Sequence, residues 1–160
     1  MLIRKATKKD LDAVYKTFLE LIKSEDAAAK KIGYMAVRKK RHDFGSVARK
    51  QLLQSIRQRK SLYLVAEINN HITGYAYATI FRHKDSFFHT YPIGYLNAIV
   101  VRKKYRGQGI ASALMKEAEK WFKKKKCIMS TLDVFYTNPA INVYTRLGYH
   151  AYDYRMFKRL

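Results

Sequence analysis

Cysteine, proline and acidic residues are all scarce in this chain of 160 residues. The single cysteine, Cys127, excludes an intramolecular disulfide and a cysteine-rich zinc cluster, and it suits a reducing compartment. The two prolines, with 48% hydrophobic and 14% aromatic residues, exclude a disordered tail and indicate a packed globular protein. The sequence has no apolar run long enough to span a bilayer, and its N-terminus lacks the apolar core of a signal peptide. We therefore expect a soluble, cytoplasmic protein.

Negative charge is the scarcest property, because 12 acidic residues stand against 33 basic ones and leave a formal net charge of +21. A field of this sign attracts polyanions such as nucleic acid, ribosomes, anionic lipid headgroups or a phosphorylated cofactor. The alternative is a lysine-rich surface that serves solubility alone, since the lysines are spread along the whole chain. The basic cluster at residues 38–42 has the same two interpretations: recognition of an acidic acceptor, or a solvated charge run.

Hydrophobic periodicity predicts a mixed α/β fold in one domain covering residues 1–160. A first strand at residues 1–5 precedes a helix that starts at the capping-box pair Thr7 and Asp10 and runs to about Ser24. Residues 25–45 are expected to be a mobile connection or a broken helix, and a second helix ends near Lys60. The predicted order is strand, two helices, three strands, helix, strand, helix, strand.

The second half of the chain supplies most of the predicted sheet. Strands at residues 61–67 and from Ile72 onward form a hairpin around Asn69 and Asn70, and "YLNAIVV" at residues 95–101 is the next strand. A helix begins at Ile110 and stops in the lysine run at residues 123–126. Further strands are predicted at residues 127–136 and 149–160, separated by a short helix with Asn138 as N-cap, Pro139 in its first position and Gly148 at its end.

The segment "RGQGIA" lies between the predicted strand at residues 95–101 and the helix that follows. In this order the free N–H groups of the turn and the first helical turn point to one spot beyond the strand, where they bind anions. Gly107 and Gly109 let a pyrophosphate approach the backbone without a Cβ in the way, and Arg106 adds charge. The pattern is neither a Walker A loop nor a dinucleotide fingerprint, and two glycines alone are equally compatible with a plain strand-to-helix turn.

With its surroundings, this segment resembles the acetyl-CoA signature of the GCN5-related N-acetyltransferase (GNAT) family, Arg/Gln-x-x-Gly-x-Gly/Ala. It reads Arg106-Gly107-Gln108-Gly109-Ile110-Ala111 and follows "AIVVRKKY", which is similar to the family's fourth strand. The opening "IRKATKKDLDAV", the central hairpin, the closing "NPAINVYTRLGY" and the final "YRMFKRL" extend the resemblance over nearly the whole chain. It implies a GNAT-like acyl-CoA N-acyltransferase fold, in which helices flank a central, mostly antiparallel twisted sheet.

The resemblance also implies which residues hold acetyl-CoA, without a metal. Backbone groups of Ile99, Val100 and Val101 would pair with the pantetheine arm as an extra strand would. Asn138 would contact the pantetheine from the final short helix. The pyrophosphate would be held by the amides of Arg106, Gly107, Gln108, Gly109, Ile110 and Ala111, helped by the hydroxyl of Ser112.

Tyr144 matches the position at which many family members carry a general acid. When an amine attacks a thioester, an oxyanion forms and a thiolate leaves, so a backbone N–H and a phenol near the sulfur both help. The alternative for Tyr144 is a helix tyrosine that packs under the sheet, since the chain has 13 tyrosines. The carboxylate that many members carry on the fourth strand is missing from residues 96–99. The base that deprotonates the amine is therefore left open between a water chain, Asp133 and His89.

Two functions follow from these patterns. The first is an N-acetyltransferase that transfers the acetyl group directly, in a ternary complex, to a primary amine of a small molecule, a peptide N-terminus or a lysine. The second is a polyanion-binding module of the same fold that sits on RNA or ribosomes with little or no transferase activity. An aminoglycoside acceptor ranks low because the basic protein would repel it unless the pocket is locally acidic. Cys127 is interpreted as a core residue, and a homodimer is consistent with the resemblance.

Overall fold

A computed structural model describes residues 1–158. Its single sheet has five strands in the order β1-β2-β3-β4-β5, antiparallel throughout except for the parallel pair of β4 and β5. The mostly antiparallel sheet flanked by helices confirms the predicted fold class. The strands are β1 (Leu2–Lys5), β2 (Leu62–Ile68), β3 (His71–Phe81), β4 (Ile93–Val101) and β5 (Met129–Thr131), and the helices are α1 (Leu11–Lys31), α2 (Phe44–Arg57), α3 (Ile110–Lys124) and α4 (Ile141–Arg146).

Two apolar cores lie on the two faces of this sheet. On one face α3 packs Ile110, Leu114 and Phe122 against alternate residues of β2, β3 and β4. On the other face α1 and α2 cover a cluster that contains Val14, Leu52 and the stacked rings of β2 and β3. The alternation of strand side chains between two faces explains why one sheet serves both cores. None of the helices in residues 1–158 is long and apolar enough to cross a membrane.

Helix α1 continues seven residues beyond the predicted end at Ser24, so the expected break in residues 25–31 is wrong. The alanine run supplies strong helix formers, and Ala28 and Ala29 are buried. Small side chains are needed there because the loop before α4 comes close enough for the Thr137 hydroxyl to donate a 3.0 Å hydrogen bond to the Ala28 carbonyl. After Gly33, a 3₁₀ helix at Tyr34–Val37 leads to α2.

The predicted last two strands are also corrected. Strand β5 is limited to Met129–Thr131, and residues 149–158 form neither helix nor strand. The alternating aromatic pattern of this C-terminal segment fits a strand, but a strand needs a hydrogen-bonded neighbour, and residues 149–158 pair with no strand of the described sheet. The last two residues of the predicted strand lie outside the described residues.

Candidate active site

The turn between β4 and α3 has the unusual torsions that its glycines predicted. Gly107 and Gly109 adopt φ values of 79° and 75°, and Gly109 is the N-cap of α3. A Cβ added at either glycine would meet no protein atom within 4 Å. The glycines are therefore required by their backbone conformation and not by internal packing, and the space beside them is open to a ligand.

Backbone donors collect at this turn. Within the described part of the chain, the amides of residues 107–112 donate no hydrogen bond to another residue. The Arg106 amide differs from the prediction, since it donates to the Lys103 carbonyl at 3.3 Å. The Arg106 guanidinium donates from Nε to the Val101 carbonyl at 3.0 Å, which holds a positive charge at the end of β4. Free amides, the positive end of α3 and this guanidinium make an anion site.

Helix α1 braces the first residues of the turn through Glu20. Its carboxylate accepts a 2.9 Å hydrogen bond from the Lys103 amide and faces Arg102 Nε at 3.4 Å. The role of Glu20 is not apparent from the sequence, because no motif joins two positions 83 residues apart. Arg102 is thus engaged by a carboxylate, while the Lys104 ammonium lies over the Tyr105 ring.

Strands β4 and β5 diverge beside the turn. They pair only from Ile93 to Tyr95, so residues 96–101 have no β5 partner within the described residues. The register between β3 and β4 slips at Asn97, which makes this residue a bulge. The three residues expected to pair with pantetheine, Ile99, Val100 and Val101, all lie in the diverging part of β4. Their backbone groups on that side therefore face a gap between strands.

Helix α4 carries the other predicted residues. Asn138 Oδ1 accepts a 3.0 Å hydrogen bond from the Ala140 amide. This bond orders the turn that leads into α4, whose first residue is Ile141. Gly148, at φ 86°, ends it, and the Tyr149 amide bonds back to the Tyr144 carbonyl. The end at Gly148 is as predicted, but the predicted start is wrong: α4 begins at Ile141 with Ala140 as its N-cap, so Asn138 and Pro139 lie in the turn before the helix.

The Tyr144 side chain is half-buried and packs against the α3 core, the same cluster that contains Ile110 of the turn. Burial, followed by the neighbouring Tyr149 and the charge of Glu25, raises the pKa of Tyr144 to about 12. Its hydroxyl has no hydrogen-bond partner in residues 1–158, whereas the Tyr149 hydroxyl is 2.6 Å from Ser130 Oγ. Tyr144 thus keeps its proton at neutral pH and has a donor free for a ligand.

The two bases left open by the sequence lie in different places. His89 is exposed in the β3–β4 loop, beside a depression of about 240 Å³ that it shares with Phe88 and Tyr91. This depression, and a neighbouring one of about 500 Å³ lined by residues 82–86 and Thr90, contain no residue of the glycine turn. Asp133 follows β5 at the divergence from β4 and faces Arg155.

Cys127 packs against the α3 core, as the sequence analysis expected. Burial raises the pKa of its thiol, which leaves it protonated and a poor nucleophile.

The chain is similar to known acetyltransferases in sequence and in fold. The Acetyltransferase (GNAT) family matches residues 24–149, most of the chain, so the protein belongs to that family. Its fold is shared by a tetramutant of the BH1408 protein from Bacillus halodurans, with 21% identity, a TM-score of 0.85 and 100% of each chain covered.

Two aminoglycoside N-acetyltransferases share the fold as well. The apo AAC(6')-IG enzyme of Acinetobacter haemolyticus has 19% identity and a TM-score of 0.75, with 100% of this chain and 98% of that chain covered. The AAC(6')-Iy enzyme in complex with CoA has 18% identity and a TM-score of 0.72, with 99% and 93% covered. At these identities the likeness describes the fold.

Proposed function

We propose that the protein is an acetyl-CoA-dependent N-acetyltransferase that acetylates a primary amine. The observation that carries this proposal is the turn at residues 106–112, where six backbone amides without internal partners surround two glycines whose missing Cβ atoms leave open space. A diphosphate matches these donors in charge, and the open space at the two glycines lets it approach the backbone. Membership of the GNAT family and the CoA complex of AAC(6')-Iy support the same donor.

In this proposal the pyrophosphate binds the amides of Gly107, Gln108, Gly109, Ile110 and Ala111, with Ser112 and the Arg106 guanidinium beside them. The pantetheine pairs with backbone groups of Ile99, Val100 and Val101 along the edge of β4 that lacks a β5 partner, beside the Arg106 guanidinium bound to the Val101 carbonyl. The side-chain amide nitrogen of Asn138 is available to the pantetheine because only its oxygen is engaged by the Ala140 amide.

Acetyl-CoA supplies an activated acetyl group, whose carbonyl carbon bonds to the amine nitrogen as its bond to sulfur breaks. Tyr144 donates a proton or a hydrogen bond to the departing sulfur, which its pKa of about 12 allows because the phenol stays protonated at neutral pH. The divergence of β4 from β5 offers a backbone N–H near the bulge at Asn97 for the developing oxyanion. The ammonium of the acceptor loses one proton to solvent before attack, and the second proton, which nitrogen releases as the amide forms, replaces the one that Tyr144 gives to sulfur.

Calorimetry with acetyl-CoA and a free-thiol assay against a panel of amines test the proposal. Tyr144→Phe is expected to lower kcat by about 10²-fold while the acetyl-CoA Kd changes less than about twofold. Tyr149→Phe is the matched control, since its ring lies 6.2 Å from that of Tyr144 and its hydroxyl is bound to Ser130. Equal kcat in wild type and Tyr144→Phe would remove the acid role, and absence of acetyl-CoA binding would refute the proposal.

The alternative, a polyanion-binding module, is favoured by one observation, the net charge of +21. It predicts tight RNA binding that weakens steeply with salt, together with no thiol release from acetyl-CoA in the presence of any amine.

A further inference from the structure

One carboxylate lies where the acceptor would have to approach. Asp133 lies two residues beyond Thr131, the last β5 residue that pairs with β4, and it is close to the hydroxyl of Tyr95, the β4 partner of Thr131. The strands diverge at this level, and the side chain of Asp133 is 56% exposed. The carboxylate is thus exposed beside the end of the β4–β5 pairing, where the unpaired part of β4 begins.

A cation of this same chain already sits on that carboxylate. Arg155 Nη2 is 3.5 Å from Asp133 Oδ2, and the Arg155 side chain is 87% exposed. The Tyr95 hydroxyl faces Asp133 as well: burial first, and then the carboxylate, raise the pKa of Tyr95. Asp133 is therefore arranged to receive a positively charged group between a strand-borne phenol and solvent.

The segment that brings Arg155 is weakly attached. Residues 149–158 lack regular structure, and Tyr154 and Met156, on either side of Arg155, are 86% and 93% exposed. The segment is held at its start by Tyr149, which contacts Ser130 and the Tyr144 carbonyl, and near its end by the edge contact between the rings of Phe157 and Tyr34, 5.0 Å apart. An ion pair this exposed contributes little to stability, so a competing cation can displace the guanidinium.

Other carboxylates near the cleft are bound more firmly. Asp26 accepts hydrogen bonds from both Arg38 and Lys40, and Glu25 accepts one from Arg38. Arg38 is only 23% exposed and its guanidinium lies over the Phe135 ring. These acids hold the connection between α1 and α2, whereas the partner of Asp133 is highly exposed and therefore exchangeable.

We propose that Asp133 is the subsite for the acceptor's ammonium and that Arg155 occupies it until an acceptor arrives. The inference rests on the proposed function and adds the recognition element: the acceptor is a cationic amine that exchanges with a guanidinium of the C-terminal segment. A local carboxylate also offsets the electrostatic repulsion between a cationic substrate and a protein of net charge +21.

The test compares Asp133→Asn and Arg155→Gln with a matched pair of controls, Asp12→Asn and Arg49→Gln. The control residues also form a solvent-exposed ion pair, between α1 and α2. Each variant is assayed by thiol release with spermidine, kanamycin, 2-phenylethylamine and an unblocked lysine-containing peptide, and the acetyl-CoA Kd is measured by calorimetry.

For every amine that the wild type acetylates, Asp133→Asn is expected to raise KM by about tenfold or more, because a hydrogen bond to a charged group is lost. Arg155→Gln is expected to lower KM by up to about fivefold, since the competing guanidinium is gone. The acetyl-CoA Kd and both controls stay within about twofold. Thiol release with an unchanged KM in Asp133→Asn would overturn the subsite alone. No thiol release by the wild type with any of these amines would refute the proposed transferase function. Calorimetry reports the binding of acetyl-CoA separately from this turnover.

Discussion

Adding one methyl group at Gly109 separates the cost of the backbone conformation from the cost of lost ligand contact. At φ 75° an alanine suffers the left-handed penalty of about 1–2 kcal/mol, partly offset by about 0.4–1 kcal/mol from a less flexible unfolded chain. No packing term is added, because the new Cβ meets no protein atom within 4 Å. Gly109→Ala should therefore lower the free energy of unfolding by about 1 kcal/mol, which corresponds to a decrease in Tm of about 3 °C.

Gly33→Ala is the matched control for this variant. Gly33 has φ 74°, and its Cβ would also meet nothing within 4 Å, but it lies at the end of α1. In a thermal melt, the Tm of both variants should decrease by a similar amount relative to the wild type. In calorimetry with acetyl-CoA, only Gly109→Ala should lose affinity, by about tenfold or more, which is ~1.4 kcal/mol. Equal acetyl-CoA affinity in both variants would show that no diphosphate approaches this turn.

Two further predictions concern stability. Lys126 ends α3 at φ 59° while the Cys127 amide bonds to the Phe122 carbonyl, so Lys126→Gly should raise the free energy of unfolding in urea by about 0.5–1 kcal/mol; a decrease would contradict the strain. The Arg4 hydrogen bond, opposed by burial, lowers the pKa of Asp10 from 3.8 to about 2. This stabilisation of about 2 kcal/mol is complete above pH 5 and is lost as the pH falls through 2, so the stability gap between wild type and Asp10→Asn should narrow over that range in urea titrations. A gap independent of pH would argue against the Arg4 pairing.

Local signals in the sequence were sufficient where one segment determines its own structure. The hairpin turn follows from Asn69 and Asn70, whose φ values of 49° and 59° are those that asparagine tolerates. Helix α3 begins at Ile110 and ends in the lysine run as predicted, because Gly109 and the apolar period mark it. The positive φ of the turn glycines follows from the same local chemistry.

Contacts between segments that are distant in the chain could not be predicted from the sequence. The length of α1 depends on Ala28 meeting Thr137, and the brace of the turn depends on Glu20 meeting Lys103. No spacing rule relates such positions, since the fold alone brings them together. The lack of a strand at residues 149–158 has the same origin, because pairing depends on a neighbour and not on the alternation of the segment itself.

The distribution of charge bears on the two interpretations of the basic composition. In the cluster at residues 38–42, Arg38, Lys40 and Arg41 all form ion pairs with carboxylates. Arg38 and Lys40 pair with carboxylates of α1, so this cluster holds the connection between α1 and α2 against α1. A charge that is neutralised within the protein attracts polyanions only weakly.

In the turn before α3, by contrast, the basic side chains are not neutralised by carboxylates of residues 1–158. In the described residues, the side chains of Lys103, Lys104 and Arg106 form no ion pair, and the carboxylate of Glu20 is directed to the Lys103 amide and to Arg102. Acidic residues are scarce in this chain, yet Glu25, Asp26 and Asp43 all pair with the cluster at residues 38–42, while the side chains of the glycine turn keep their positive charge. Unneutralised positive charge beside free backbone donors raises the local concentration of a phosphorylated ligand, so at this turn the basic composition has a specific partner in the proposed reaction.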